Sequence, residues 1–192
     1  MLPFSLDPDV ISWSYFLQFV VFVPLAILAL KSPGQRWYEA IDLRWVPAKT
    51  IALWTGIWLI CWTIAVFLYS HLSLPDDPFL QAINGTRHPG LTFASLLLAP
   101  LLEEIIFRTC GFRLWRRTRL GLYGTLFLTS LLFMLIHLGQ YNSTLLVLMF
   151  LFGMLLGLAR ENTGSLLVPL ILHSLNNLLS VILIIWLGLA AR

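Results

Sequence analysis

The chain has 192 residues, 59% of them hydrophobic and only 11% charged, with a mean hydropathy of +0.87. An ordinary soluble domain carries roughly 25% charged residues, so composition excludes one and points to an all-α polytopic membrane bundle, read as a single embedded domain over 1–192. The net charge of +3 does not signal nucleic acid, because the basic residues sit in short loops between apolar runs, where they set orientation.

In chain order, the start MLPFSLDPDV is acidic and lacks the basic region of a cleavable signal. The first apolar segment is therefore expected to stay as a helix. Spanning a bilayer takes about 20 apolar residues, and six segments come close: roughly 11–30, 50–72, 91–114, 120–139, 143–160 and 165–190. The punctuation between them, KSPGQRW, LPDDP, RHPG, RRTRLG, GQYNS and RENTGS, carries turn or helix-stop chemistry. Residues 1–90 read as variable N-terminal spans and 91–180 as the core that bears the motifs.

Lys31, Arg36, Arg44 and Lys49 lie in the first loop, Arg113, Arg116, Arg117 and Arg119 in the third, and Arg160 at the start of the fifth. The opposite side has only Arg87 and the terminal Arg192. The positive-inside rule then predicts these three loops in the cytoplasm and both termini outside, in a bacterial-type inner membrane or another energy-converting membrane. Trp37, Tyr38 and Trp45, with Ile41 and Leu43 between them, suggest a short helix on the membrane surface, or more simply an aromatic belt. Cys61 and Cys110 sit inside apolar runs and read as small packing residues. Gly153 and Gly157 form a GxxxG step for close helix approach within the bundle.

Against this background a few polar residues stand out. A charge at the bilayer centre costs at least ~2.5 kcal/mol on insertion scales, so intramembrane ionisable groups are functional candidates with partners nearby. The third span carries Glu103, Glu104 and Arg108; the fourth ends in His137; the sixth carries His173, Asn176 and Asn177. Glu104 and Arg108 are spaced i,i+4 and can pair, as are Phe133 with His137 and His173 with Asn177. Glu103 lies about 100° around the helix, which leaves it facing the bundle interior while Arg108 neutralises Glu104. Glu103 and His137 are each 17 residues from Leu120, so an antiparallel hairpin sets them at one depth. His173, only ~12 Å from the start of its span, meets them if the Arg-rich turn projects beyond the membrane and the GQYNS loop is recessed. Pro100 and Pro169 each precede a key polar residue; either bends its helix beside a water pocket, or Pro169 merely starts the sixth span.

Hydrolysis of a peptide bond in a membrane requires a water to be held and deprotonated and an oxyanion to be stabilised. Carboxylate plus imidazole supply the first, and a second imidazole with an amide the last. A single membrane histidine is more often a helix–helix hydrogen bond. Two glutamates, an arginine, two histidines and an asparagine on three helices, in a chain with so few charges, are harder to explain as packing.

Glu103-Glu104-x-x-x-Arg108, Phe133-x-x-x-His137 and His173-x-x-x-Asn177 resemble the three signature motifs of the CAAX-protease and bacteriocin-processing (CPBP, Abi) family of intramembrane endopeptidases. FRTCGFRLWRR and FLFGMLLGLARENTGSLLVPLILHSLNN are similar to its flanking text, over roughly 91–180, and no signature position departs from the pattern. The resemblance implies a helical-bundle protease cleaving peptides near a membrane face. In it Glu103 and His137 activate water, and His173 and Asn177 form the oxyanion site. Glu104, Arg108, Phe133 and Asn176 support them. The family has often been labelled metalloprotease, and Glu103, His137 and His173 would be the zinc ligands; with no HExxH, a metal-free glutamate mechanism is expected. The partners implied are membrane lipid and a peptide or membrane-protein substrate, with no nucleic acid. The rival expectation is a non-catalytic membrane scaffold or accessory subunit of a larger complex; an ion-coupled transporter fits the carboxylates but not the small size.

Overall fold

The structure, a computed structural model, describes residues 7–71 and 88–182. The described residues form seven helices: α1 (Pro8–Leu30), α2 (Trp37–Ala40), α3 (Ala48–His71), α4 (Pro89–Trp115), α5 (Gly121–Leu135), α6 (Ser143–Thr163) and α7 (Leu167–Val181). Four of them, α1, α3, α4 and α6, are long and apolar enough to cross a membrane, and α5 and α7 are shorter apolar helices. This is an all-α helical membrane bundle. Its elements fall on the six expected segments; the LPDDP stop, Arg87 and the end of the sixth segment lie outside the described residues.

Helix α4 is the axis. Over half of its apolar window is buried (56%), against 6% for α1 and α3, so the other helices pack around it. At 1.5 Å per residue its 27 residues span ~40 Å. It is not a uniform α-helix: Ala94–Leu98 and Ile105–Gly111 are π-helical, flanking the α-helical stretch Ala99–Glu104. Such π segments collect at functional sites and absorb local strain. Pro100 lies inside α4, whereas Pro169 occupies the first turn of α7, so the simple start is its role.

Helices α4 and α5 form the expected hairpin. Phe107 meets Phe133 edge-on at 5.6 Å, and a Cβ on Gly111 would come within 3.0 Å of Thr129. Both pairs share the register that sets Glu103 level with His137. The α5–α6 interface is built on small residues. A Cβ on Gly153 would stand 3.1 Å from the Ser130 Cα, and one on Gly157 2.6 Å from the Leu126 Cδ2, so the GxxxG step works within the chain. The Asn142 side chain caps the start of α6, accepting from the Leu145 N–H at 3.0 Å, and Gly164, at φ +63°, ends it in the left-handed region. Both cysteines are free thiols.

At one end of the bundle the three basic loops come together on Asp42. Its carboxylate accepts from Arg160 at 2.7 Å and meets Arg113 at 3.2 Å and Arg44 at 3.5 Å. The Asp42 backbone carbonyl accepts from the Leu166 N–H, and Arg116 grips Glu161 through both carboxylate oxygens. That hydrogen-bonded carboxylate raises the Arg116 pKa above its ordinary value. The surface-helix reading of this region needs correction. α2 is a single turn, and Ile41 is 2% exposed, packed with Val23, Leu102, Ile105 and Leu166. Burying Ile41 and bonding its carbonyl to the Thr109 hydroxyl at 3.0 Å draws the segment into the bundle, while Trp37 and Trp45 stay exposed as a belt requires.

Candidate functional site

The polar cluster sits where α4, α6 and α7 meet. Glu104 and Arg108 are both 0% exposed and paired, Arg108 Nε lying 3.3 Å from Glu104 Oε2. The guanidinium also donates to the Gly153 carbonyl at 3.1 Å and lies 4.9 Å from the Phe133 ring centroid. Removing two charges from water costs several kcal/mol per ion, and only added hydrogen bonds and a close partner offset it. The glycine at 153 permits both the helix contact and this carbonyl contact.

His173 is 4% exposed and stands between the two glutamates. Its Nδ1 is 2.8 Å from Glu104 Oε1, and its Nε2 is 3.7 Å from Glu103 Oε2. A carboxylate only accepts, so Nδ1 carries the proton on the Glu104 side, which fixes the tautomer and leaves Nε2 facing Glu103. Among the described residues neither Glu103 Oε2 nor Glu104 Oε2 has a hydrogen-bond partner, but Glu104 Oε2 has the Arg108 guanidinium 3.3 Å away whereas Glu103 Oε2 faces only the imidazole. A buried carboxylate oxygen left free beside an imidazole nitrogen is the most reactive feature of the cluster, since it is poised to take a proton.

Glu104 pairs with Arg108 and Glu103 faces the bundle interior as their spacing predicts, and the two carboxylates also flank the same imidazole. Both glutamates lie in the α-helical stretch Ala99–Glu104, so about 100° separates them, and His173 bridges the gap by turning a different ring nitrogen to each. Glu103 stands twelve residues before the end of α4 and His173 six after the start of α7, yet they meet, so α4 projects ~9 Å past α7. This is the projection of the Arg-rich turn that the depths required.

Phe133 organises the surroundings. Its ring lies 5.7 Å from His173, 5.2 Å from His137 and 6.5 Å from Phe152, and Phe152 meets His173 edge-on at 5.6 Å. His137 follows the end of α5 and spends its Nδ1 on the Phe133 carbonyl at 2.8 Å. A carbonyl only accepts, so here too Nδ1–H donates, and among the described residues Nε2 makes no hydrogen bond. Among the described residues no hydrogen bond joins His137 to Glu103, His173 or Asn177. The Asn177 amide donates to the Ser95 carbonyl at 2.9 Å, and Asn176 offers its backbone carbonyl to the Ser180 hydroxyl. Among the described residues no group of three or more His, Cys, Asp or Glu side chains is placed to hold a metal ion.

Several contributors escaped the sequence reading. Phe152 and Phe107 look like lipid-facing aromatics in an apolar run. The Gly153 and Ser95 carbonyls carry no residue signature at all. Beside the cluster, Phe16, Phe19, Leu97, Leu101, Leu170 and Ser174 line an apolar groove of about 460 Å³ between α1, α4 and α7.

Comparison with known proteins agrees with the motif geometry. Residues 86–179 match the family model described as type II CAAX prenyl endopeptidase Rce1-like. This segment, just under half of the chain, is similar to the Rce1-like family. The matched segment runs from just before α4 into α7 and contains the sequence motifs from Glu103 to Asn177. The chain is also similar to an "Uncharacterized 24.3 kDa protein" of Escherichia coli, 29% identical over 138 residues. That alignment covers 69% of this chain but only 60% of the relative's length. No solved structure matches significantly.

Proposed function

We propose that this Rce1-like protein is an intramembrane endopeptidase that hydrolyses a peptide bond near the membrane face. The observation that carries the reading is the unpartnered Glu103 carboxylate oxygen, 3.7 Å from a His173 imidazole whose far side is fixed by Glu104. Two carboxylates against Arg108 leave the buried set with one excess negative charge.

In the proposed reaction Glu103 takes a proton from a water as its oxygen attacks the peptide carbonyl carbon. The tetrahedral oxyanion forms against His173 Nε2 in its protonated form. Collapse breaks the carbon–nitrogen bond, and the proton held by Glu103 passes to the leaving amine. His137, level with Glu103 in the hairpin register and with an Nε2 that makes no hydrogen bond among the described residues, supports the same water. The apolar groove supports a substrate with a hydrocarbon arm, in keeping with the prenyl endopeptidases for which the family is described. No step is routed through a metal. The gathering of three basic loops at one bundle end supports a cytoplasmic placement of that end.

The test is cleavage of prenylated CAAX peptides and transmembrane peptides by the purified protein in lipid nanodiscs, run in ¹⁸O-water. The new carboxyl terminus should carry one ¹⁸O. Absence of cleavage across the panel, together with full cellular function of a Glu103→Ala variant, would favour the scaffold instead.

A further inference from the structure

The Ser95 carbonyl of α4 lacks both the α and the π donor of its own helix. In an α ladder the Ser95 carbonyl accepts from the N–H of residue 99, and in a π ladder from that of residue 100. The Ala99 N–H is diverted to the Ala94 carbonyl, five residues back. Residue 100 is proline and has no N–H. Both donors are thus gone, and Asn177 Nδ2 on α7 supplies the missing one at 2.9 Å.

We infer that Asn177 is a positioning residue: it clamps the π segment that Pro100 forces into α4 and so sets which way Glu103 and Glu104 face. The π segment holds one residue more than the equivalent α turns. Relaxing it would rotate everything downstream by about 100°, the angle between neighbouring residues. Glu103 and Glu104 would then leave the positions from which they flank His173. His173 and Asn177 are one turn apart on α7. That single turn grips α4 twice, through Glu104 and through Ser95, on either side of Pro100.

The inference rests on the endopeptidase reading only for its activity readout; its structural readout is independent. The experiment is a cycle of Asn177→Leu and Pro100→Ala, singly and together, in nanodiscs. Asn177→Leu keeps the side-chain volume and removes the donor; Asn177→Ala repeats the test should leucine not fit. Amide hydrogen exchange over residues 94–104 and peptide hydrolysis are measured on each protein. With Pro100 present, Asn177→Leu should speed exchange in this segment and slow hydrolysis, each by about tenfold, the scale of one orphaned buried carbonyl. In the Pro100→Ala background, where the new residue supplies an N–H, the same substitution should change exchange less than about twofold, because the carbonyl is no longer orphaned. Equal effects in both backgrounds, or slower hydrolysis with unchanged exchange, would overturn the clamp and assign Asn177 to the substrate. If the native protein cleaves nothing, the endopeptidase reading fails while the exchange cycle still decides the clamp.

Discussion

Replacing Arg108 by methionine tests the energetics of the cluster. Arg108 is fully buried, and the substitution removes three contacts together: the ion pair with Glu104, the hydrogen bond to the Gly153 carbonyl and the cation–π contact with Phe133. Methionine fills a similar volume, so the cost is electrostatic rather than a void. Taking one partner from a buried pair costs about 3–5 kcal/mol, because the other charge stays uncompensated. His173 still donates to Glu104, so the lower part of that range, about 3 kcal/mol, is expected. For a chain of this size that lowers the unfolding midpoint by roughly 6–12 °C. Adding Glu104→Leu removes the stranded carboxylate, and the double variant should regain most of the loss. Thermal unfolding in a mild detergent, followed by tryptophan fluorescence, reads all three proteins. An Arg108→Met variant unfolding within about 2 °C of the native protein, or a double variant less stable than the single, would refute a buried pair at this position.

Three further outcomes follow from the packing and the loop cluster. Gly153→Val should destabilise by about 1–3 kcal/mol by overpacking, measured by the same unfolding assay, because the new side chain meets the Ser130 backbone, which cannot yield. Asp42 sits at φ +56°, a conformation that asparagine tolerates and valine does not. Asp42→Asn should therefore cost about 1–2 kcal/mol from the lost partner of Arg160 and Arg113, and Asp42→Val measurably more. Chelators should leave peptide cleavage intact, and inhibition reversed by added zinc would contradict the proposed mechanism.

Much of this arrangement was legible in the residue types. Glu104 and Arg108 pair as their spacing dictates, and equal distances from Leu120 give the hairpin register in which Phe107 meets Phe133. GxxxG identified the α5–α6 contact through Gly153 and Gly157. What stayed hidden depends on backbone rather than side chains. The convergence of both glutamates on His173 depends on how α7 docks against α4, which no helical wheel contains. The acceptors for Arg108 and Asn177 are carbonyls, which every residue has. Asp42 looked ordinary in a loop sequence, and only the meeting of three loops makes it the acceptor for arginines from distant segments. Ile41 and Leu43 suggested a surface helix because local apolar spacing cannot tell lipid from a neighbouring helix.

The two adjacent glutamates provide the most direct test, since the account gives them different duties. Glu103→Gln and Glu104→Gln should be compared for peptide hydrolysis and for unfolding midpoint in the same nanodisc preparation. Glu103→Gln should lower hydrolysis at least about 100-fold while leaving the midpoint close to that of the native protein, because its free oxygen takes a proton but holds nothing together. Glu104→Gln should lower both, because it anchors Arg108 and His173. Cleavage at the native rate by a folded Glu103→Gln protein would contradict the account.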